Sequence, residues 1–201
     1  SQSNIVIASV GVPRTTQDFD AVLMGNTVLG GMFSSRLNMN LREDKHWSYG
    51  MRSGIQQNTS GDQYLAVSGS VQSDKTMESM QEIMKEFEEF VTTRPATETE
   101  VSRVKINRMR SLPGTFSTNR GFLASIMTSD SYGLPFDYAE KLAERIDGVT
   151  TGAVNERAQG VIDPGKLTWV VVGDLSQIED KVRSLGYGDV EVWDAFGHRV
   201  R

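Results

Sequence analysis

Residues 4–12 are apolar or β-branched at odd and even positions alike (Ile5, Val6, Ile7, Ala8, Val10). Such a run predicts a strand covered on both faces or lying at the centre of a sheet. Pro13 ends it, because proline cannot donate to a strand ladder. Phe19, Val22, Leu23 and Leu29 then predict a helix capped by Thr15 or Thr16 and stopped at Gly30-Gly31. Leu37 and Leu41, one turn apart, predict a short serine-capped helix over residues 34–42. Residues 47–57 and 63–71 alternate, with Leu65, Val67 and Val71 on one face. The turn-forming stretch 58–62 joins them as an antiparallel hairpin.

The most regular stripe is Met77, Met80, Met84, Phe87 and Val91, which predicts an amphipathic helix after Ser73-Asp74. Its methionines read as core, and Glu78, Glu82, Glu86, Glu88 and Glu89 as its solvated face. Arg94-Pro95 ends that helix, and Thr97 with Glu100 forms a capping box for the next, through Val101, Val104 and Met109. Further helices are expected at 117–131, 137–146, 150–160 and 176–184. The continuously apolar 167–172 reads as a buried central strand, and 190–192 as a final edge strand. Strands and helices in this order predict an α+β fold of two layers, a mostly antiparallel sheet covered on one face by helices. Residues 1–201 form one domain on this reading, with 97–160 a helical subregion.

Composition narrows the chemistry. The 201 residues contain no cysteine, which excludes disulfides and thiolate chemistry. With 21 Lys and Arg against 26 Asp and Glu, the chain lacks the positive excess of a nucleic-acid surface. No apolar run approaches the ~18 residues of a membrane span. The two histidines, His46 and His198, belong to no H-x-x-E-H or H-E-x-x-H pair, so no metal ligands are assigned. His46 reads as an exposed loop residue and His198 as part of a frayed end. The sequence starts at Ser1 without Met and reads as a processed or excised piece.

Glycines before a helix can cradle an anion, but 29–37 (LGGMFSSRL) fits no phosphate-loop spacing and reads as a helix stop and a cap. Arg42 and Tyr49 offer more. A turn between them can bring a guanidinium and a phenol to one edge, donors without a base, suited to holding a carbonyl oxygen or developing oxyanion. The same residues also read plainly as a helix-terminal arginine and a half-buried strand tyrosine.

Three stretches, LGGMFSSRL at 29–37, NLREDK at 40–45 and SYG at 48–50, resemble the C-terminal half of bacterial pitrilysin/insulinase-type zinc peptidases. Weaker likeness extends over 63–72, 73–95, 116–135 and 167–174. The resemblance implies the mitochondrial-processing-peptidase-like fold and a role as the non-zinc, substrate-binding half. It implies that Tyr49 hydrogen-bonds the scissile carbonyl and Arg42 the neighbouring substrate backbone, with zinc on an H-x-x-E-H partner domain or subunit. The ligand would be an unfolded peptide. His46-Trp47 departs from the glycine and small residue of many relatives. Histidine tolerates a left-handed turn, and Trp47 either walls the substrate or packs on the domain surface. A retained fold without catalysis, an assembly module, is the alternative. By analogy the compartment would be the periplasm or cell envelope, with cytoplasm left open.

Overall fold

The computed structural model describes residues 1–56, 58 and 61–201. Gln57, Thr59 and Ser60, which belong to the expected strand end and turn, lie outside the described residues. Four strands, β1 (Gln2–Pro13), β2 (Ser48–Gln56), β3 (Asp62–Gln72) and β4 (Thr168–Val172), form one sheet in the order β2-β3-β1-β4. Every neighbouring pair is antiparallel. The helices are α1 (Phe19–Asn26), α2 (Arg36–Asn38), α3 (Thr76–Val91), α4 (Glu98–Thr115), α5 (Asn119–Ser131), α6 (Leu142–Gly148), α7 (Thr151–Val161) and α8 (Leu175–Ser184). The chain is therefore α+β with an open antiparallel sheet, as the pattern predicts.

The core lies on one side of the sheet. Ile5 and Ile7 of β1, Met51 of β2, and Leu65, Val67 and Val71 of β3 meet Met24, Leu29, Met80, Ile83, Phe87 and Phe90 from the helices. β1 accordingly alternates, with Ile5 and Ile7 buried while Val6 and Val10 are exposed on the open face. β4 is an edge strand whose Val170 and Val172 are likewise exposed. β1, paired on both sides by β3 and β4, thus meets the expectation of a strand inside the sheet, whereas β4, expected to be buried and central, lies at the edge. β-Branched residues suit an extended backbone whether or not a second layer covers them, so apolarity at both parities does not report two-sided burial. Residues 190–192 do not join the sheet. Instead Trp193 bridges to Arg199, and His198 Nδ1 lies 3.3 Å from Asp194 Oδ2 across that turn, so the end is closed rather than frayed.

Helix boundaries show where local signals give way to packing. The Thr97–Glu100 box forms as predicted: the Glu100 amide donates to Thr97 Oγ1 (3.3 Å) and the Thr97 amide to Glu100 Oε2 (2.8 Å). No side chain caps α1; Asp18, at φ 59°, precedes it, so neither Thr15 nor Thr16 acts as expected. α1 runs on into a π-helical turn, Thr27–Gly31. Gly30 owes its place to close packing: a Cβ there would stand 2.8 Å from the Ser53 amide nitrogen of β2. Ser35 precedes α2 but makes no capping bond. α3 is rotated from the methionine stripe. Met80, Ile83, Phe87 and Phe90 are buried, whereas Met77 and Met84 are only partly so; the inward-turned side of α3 meets Arg36 and Asn40 at Phe90 and Glu86. That rotation carries Glu86 off the solvated face and into the interior, where Asn40 Nδ2 donates to it at 2.9 Å.

Candidate functional site

Arg42 lies in a second π-helical turn, Met39–Asp44, which continues α2. Polar contacts fix this turn on α3. Asn40 Nδ2 donates to Glu82 Oε2 and Glu86 Oε1, both at 2.9 Å, and Lys45 Nζ lies 3.3 Å from Glu82 Oε1. Burial alone would raise the Glu82 carboxyl pKa, but the donors Asn40 and Lys45 outweigh it and hold the group below its ordinary range. The Arg42 guanidinium stacks 4.8 Å from the Phe33 ring centroid, and its Nε is 3.2 Å from Glu43 Oε1. Both members of that ion pair are substantially solvated, so it contributes little to stability. Among the described residues its two Nη groups carry no hydrogen bond.

The chain then turns at His46, whose φ of 58° is left-handed, as its tolerance for such a turn predicts. Its Nδ1 lies 3.0 Å from the Arg42 carbonyl oxygen, while Gln72 Nε2 donates to its own carbonyl at 3.1 Å. Trp47 follows, its amide donating to Leu41 O (3.0 Å) and its carbonyl accepting from the Gln72 amide (2.9 Å). Its ring packs partly against the core and has Lys45 Nζ and Lys75 Nζ 5.4 and 5.7 Å from the ring centroid. His46→Val should lower the unfolding midpoint, since a β-branched residue pays roughly 1–2 kcal/mol in the left-handed region. His46→Gly should cost less than that. Equal midpoints for the two variants in thermal unfolding would contradict a strained turn.

Tyr49 owes its orientation to a β-bulge. Ser48 pairs with Val71 and Met51 with Gly69, so Tyr49 and Gly50 together oppose Ser70 alone. The extra residue interrupts alternation and turns the following side chains. Ser48 Oγ locks the bulge by donating to Ser70 O at 2.7 Å and accepting from the Gly50 amide at 3.0 Å. A Cβ on Gly69 would stand 2.7 Å from Gly50 O, so the opposing strand needs glycine for this approach. Tyr49 is 86% exposed rather than half-buried, and its hydroxyl makes no hydrogen bond among the described residues. The turn that carries Arg42 and the strand start that carries Tyr49 are thus tied together through His46 and Trp47, at the end of the sheet where β2 begins and β3 ends. No hydrogen bond joins their side chains. The bulge and the Phe33 platform escaped the sequence reading. Glycines at 50 and 69 inside two alternating strands were the available signal for the bulge.

Among the described residues no group of three His, Cys, Asp or Glu side chains comes together to hold a metal ion. Among the same residues no helix is long and apolar enough to cross a membrane.

Residues 1–108 match the family described as Peptidase M16 inactive domain, and the chain belongs to that family. No curated protein matches the sequence. The fold recurs in the crystal structure of a peptidase M16 inactive domain from Pseudomonas fluorescens, 23% identical, with a TM-score of 0.76 over 85% of this chain and 40% of that one. It also recurs in a protease from Helicobacter pylori, 13% identical, with a TM-score of 0.77 over 86% of this chain and 41% of that one. The chain therefore spans about 40% of the length of these two relatives. An inactive peptidase domain of a proposed zinc protease from Bordetella parapertussis, 12% identical, is covered over 93% of its length by 86% of this chain, with a TM-score of 0.75.

Proposed function

We propose that this chain is the substrate-binding, transition-state-assisting half of a zinc metallopeptidase that cleaves peptides, the zinc lying on another domain or chain. The observation that carries the reading is the outward-turned Tyr49 phenol, free to donate, at the same end of the sheet as the Arg42 guanidinium. Tyr49 donates to the scissile carbonyl as its oxygen gains negative charge, and Arg42 donates to the neighbouring substrate backbone. Neither group is a base at neutral pH, so proton abstraction and the zinc belong to the H-x-x-E-H partner. β2 is an edge strand, so an extended, unfolded peptide passing Tyr49 meets unpaired backbone groups there. Phe122, Leu123 and Met127 of α5 are exposed together, an apolar face suited to contact with a partner half. The whole chain, including its helical part 97–160, serves as one binding domain.

The test is co-production with a zinc-bearing half from the same reading frame or genome. Peptide cleavage is expected only when both halves are present, and chelation should abolish it. Hydrolysis by this chain alone, or full-rate hydrolysis by the zinc half alone, would overturn the proposal. The alternative, a catalytically silent assembly module, has the family's description as an inactive domain in its favour. It requires that substitutions at Arg42 and Tyr49 leave cleavage untouched.

A further inference from the structure

A cavity of about 400 Å³ lies at the far end of the sheet from Tyr49, between the segment following β1, the start of α1, the Leu134–Tyr138 turn and the α6–α7 junction. Its charges do not balance. Asp20 is buried and accepts from Arg108 Nη2 and Arg145 Nε, each at 3.1 Å, so one carboxylate answers two guanidinium groups. A third arginine, Arg14, is 91% buried, and its guanidinium reaches no carboxylate among the described residues. It stacks 4.5 Å from the Phe19 ring centroid, and its Nη2 donates to the Tyr138 hydroxyl at 2.9 Å. The rim carboxylate Asp18 is taken by Arg157 at 3.2 Å. Arg14 Nε and Arg145 Nη2 are buried donors with no acceptor among the described residues, and both arginines line the cavity. Arg14 is a buried positive charge without a carboxylate partner, and the partly exposed Arg145 shares its carboxylate with Arg108; each keeps a spare N–H, and together they form a receptor for an oxyanion.

The remaining wall decides which oxyanion. Phe19, Leu134, Val149 and Ala153 give the cavity an apolar side. A bare inorganic anion would leave that side wet, whereas a carboxylate attached to an apolar side chain satisfies both. We propose that the cavity binds the C-terminal carboxylate of a peptide, with Arg14 and Arg145 donating to the carboxylate and the apolar wall receiving the last side chain. The volume suits one or two residues at a chain end. A peptide source for the carboxylate rests on the reading of this chain as a peptide-binding domain. The position also bears on substrate length. Pro13, beside the cavity, pairs with Asp62, while the Tyr49 bulge faces Ser70, eight residues further along β3. At about 3.4 Å per residue these points are about 27 Å apart, so a peptide engaging both needs at least about eight residues beyond the scissile bond.

Isothermal titration of the full chain with Ala-Ala-Phe, its C-terminal amide and inorganic phosphate tests the site without any cleavage. The acid should bind, and the amide should bind at least tenfold more weakly. Arg14→Gln should cause the same loss. Gly148→Glu, at a cavity-lining glycine where a Cβ meets nothing within 4 Å, should weaken the acid by tethering a competing carboxylate while leaving Arg14 and Arg145 in place. Circular dichroism checks that both variants fold. If Arg14→Gln does not fold, Gly148→Glu carries the test alone. Equal binding of acid and amide, or indifference of the acid to the folded variants, overturns the site. Phosphate binding as tightly as the peptide acid overturns the peptide end as the ligand. Tyr49→Phe should leave this titration unchanged. The carboxylate site and the catalytic role of Tyr49 can therefore fail independently.

Discussion

Tyr49→Phe is expected to lower kcat of the assembled peptidase roughly 10- to 1000-fold, the usual loss when one preorganised oxyanion donor is removed. The substitution deletes only the hydroxyl. Because the side chain is 86% exposed, the ring supports no core packing and folding should be unaffected. KM should change little, since a hydrogen bond that strengthens as charge develops acts on the transition state more than on bound substrate. Steady-state kinetics on an intact peptide, with wild type and variant at matched zinc content, separate the two parameters. An unchanged kcat would remove Tyr49 from the chemistry and favour the assembly-module reading. A rise in KM alone would make the phenol a binding group only.

Arg36→Ala is expected to cost about 2–3 kcal/mol of folding stability, because it breaks a bidentate, partly buried ion pair and leaves Glu100 with Thr97 as its remaining donor. Arg36 donates from Nε to Glu100 Oε1 at 2.8 Å and from Nη2 to Glu100 Oε2 at 2.7 Å. It also donates to the carbonyls of Arg94 and Pro95 and stacks on Phe90. One side chain therefore ties the start of α2 to the corner between α3 and α4, and with it the turn that carries Arg42. Denaturant unfolding measures the loss, and a change under 1 kcal/mol would show that the clamp is dispensable.

The same pair gives a pH dependence. Burial alone would raise the Glu100 pKa, but hydrogen bonds from Arg36 and from the Thr97 amide and hydroxyl lower it from 4.5 to about 2. A carboxyl with a depressed folded pKa stabilises fully above its unfolded value. That stabilisation, roughly 3 kcal/mol, should fade as pH falls from about 4.5 towards 2. Glu100→Gln should flatten stability over that window. If it leaves the acid limb unchanged, the acid sensitivity arises elsewhere.

Much of the architecture was readable from local chemistry. The capping box at Thr97 and Glu100 forms because its two partners are three residues apart and need nothing else. The hairpin strands and the four later helices were legible for the same reason. The errors share a cause. Continuous apolarity in β4 and the stripe on α3 were each open to more than one tertiary explanation. The neighbours chose among them: β4 pairs with β1 alone and so forms the edge, and Arg36 and Asn40 meet the inward-turned side of α3 at Phe90 and Glu86.

By itself the sequence determined the α+β class and the absence of cysteine chemistry, and it identified the resemblance that singled out Arg42 and Tyr49. Periodicity, residue type and short spacing are local properties, and a linear reading holds them complete. Only the tertiary structure decided that Tyr49 faces solvent, that Arg42 rests on Phe33, and that Arg108 and Arg145 share a single buried Asp20 while Arg14 stacks on Phe19 in the same cavity. Each depends on contacts between residues that the chain does not place side by side, or on a bulge defined by an opposing strand. Orientation and charge balance follow from which elements pack together, and that information resides in no short stretch of the chain.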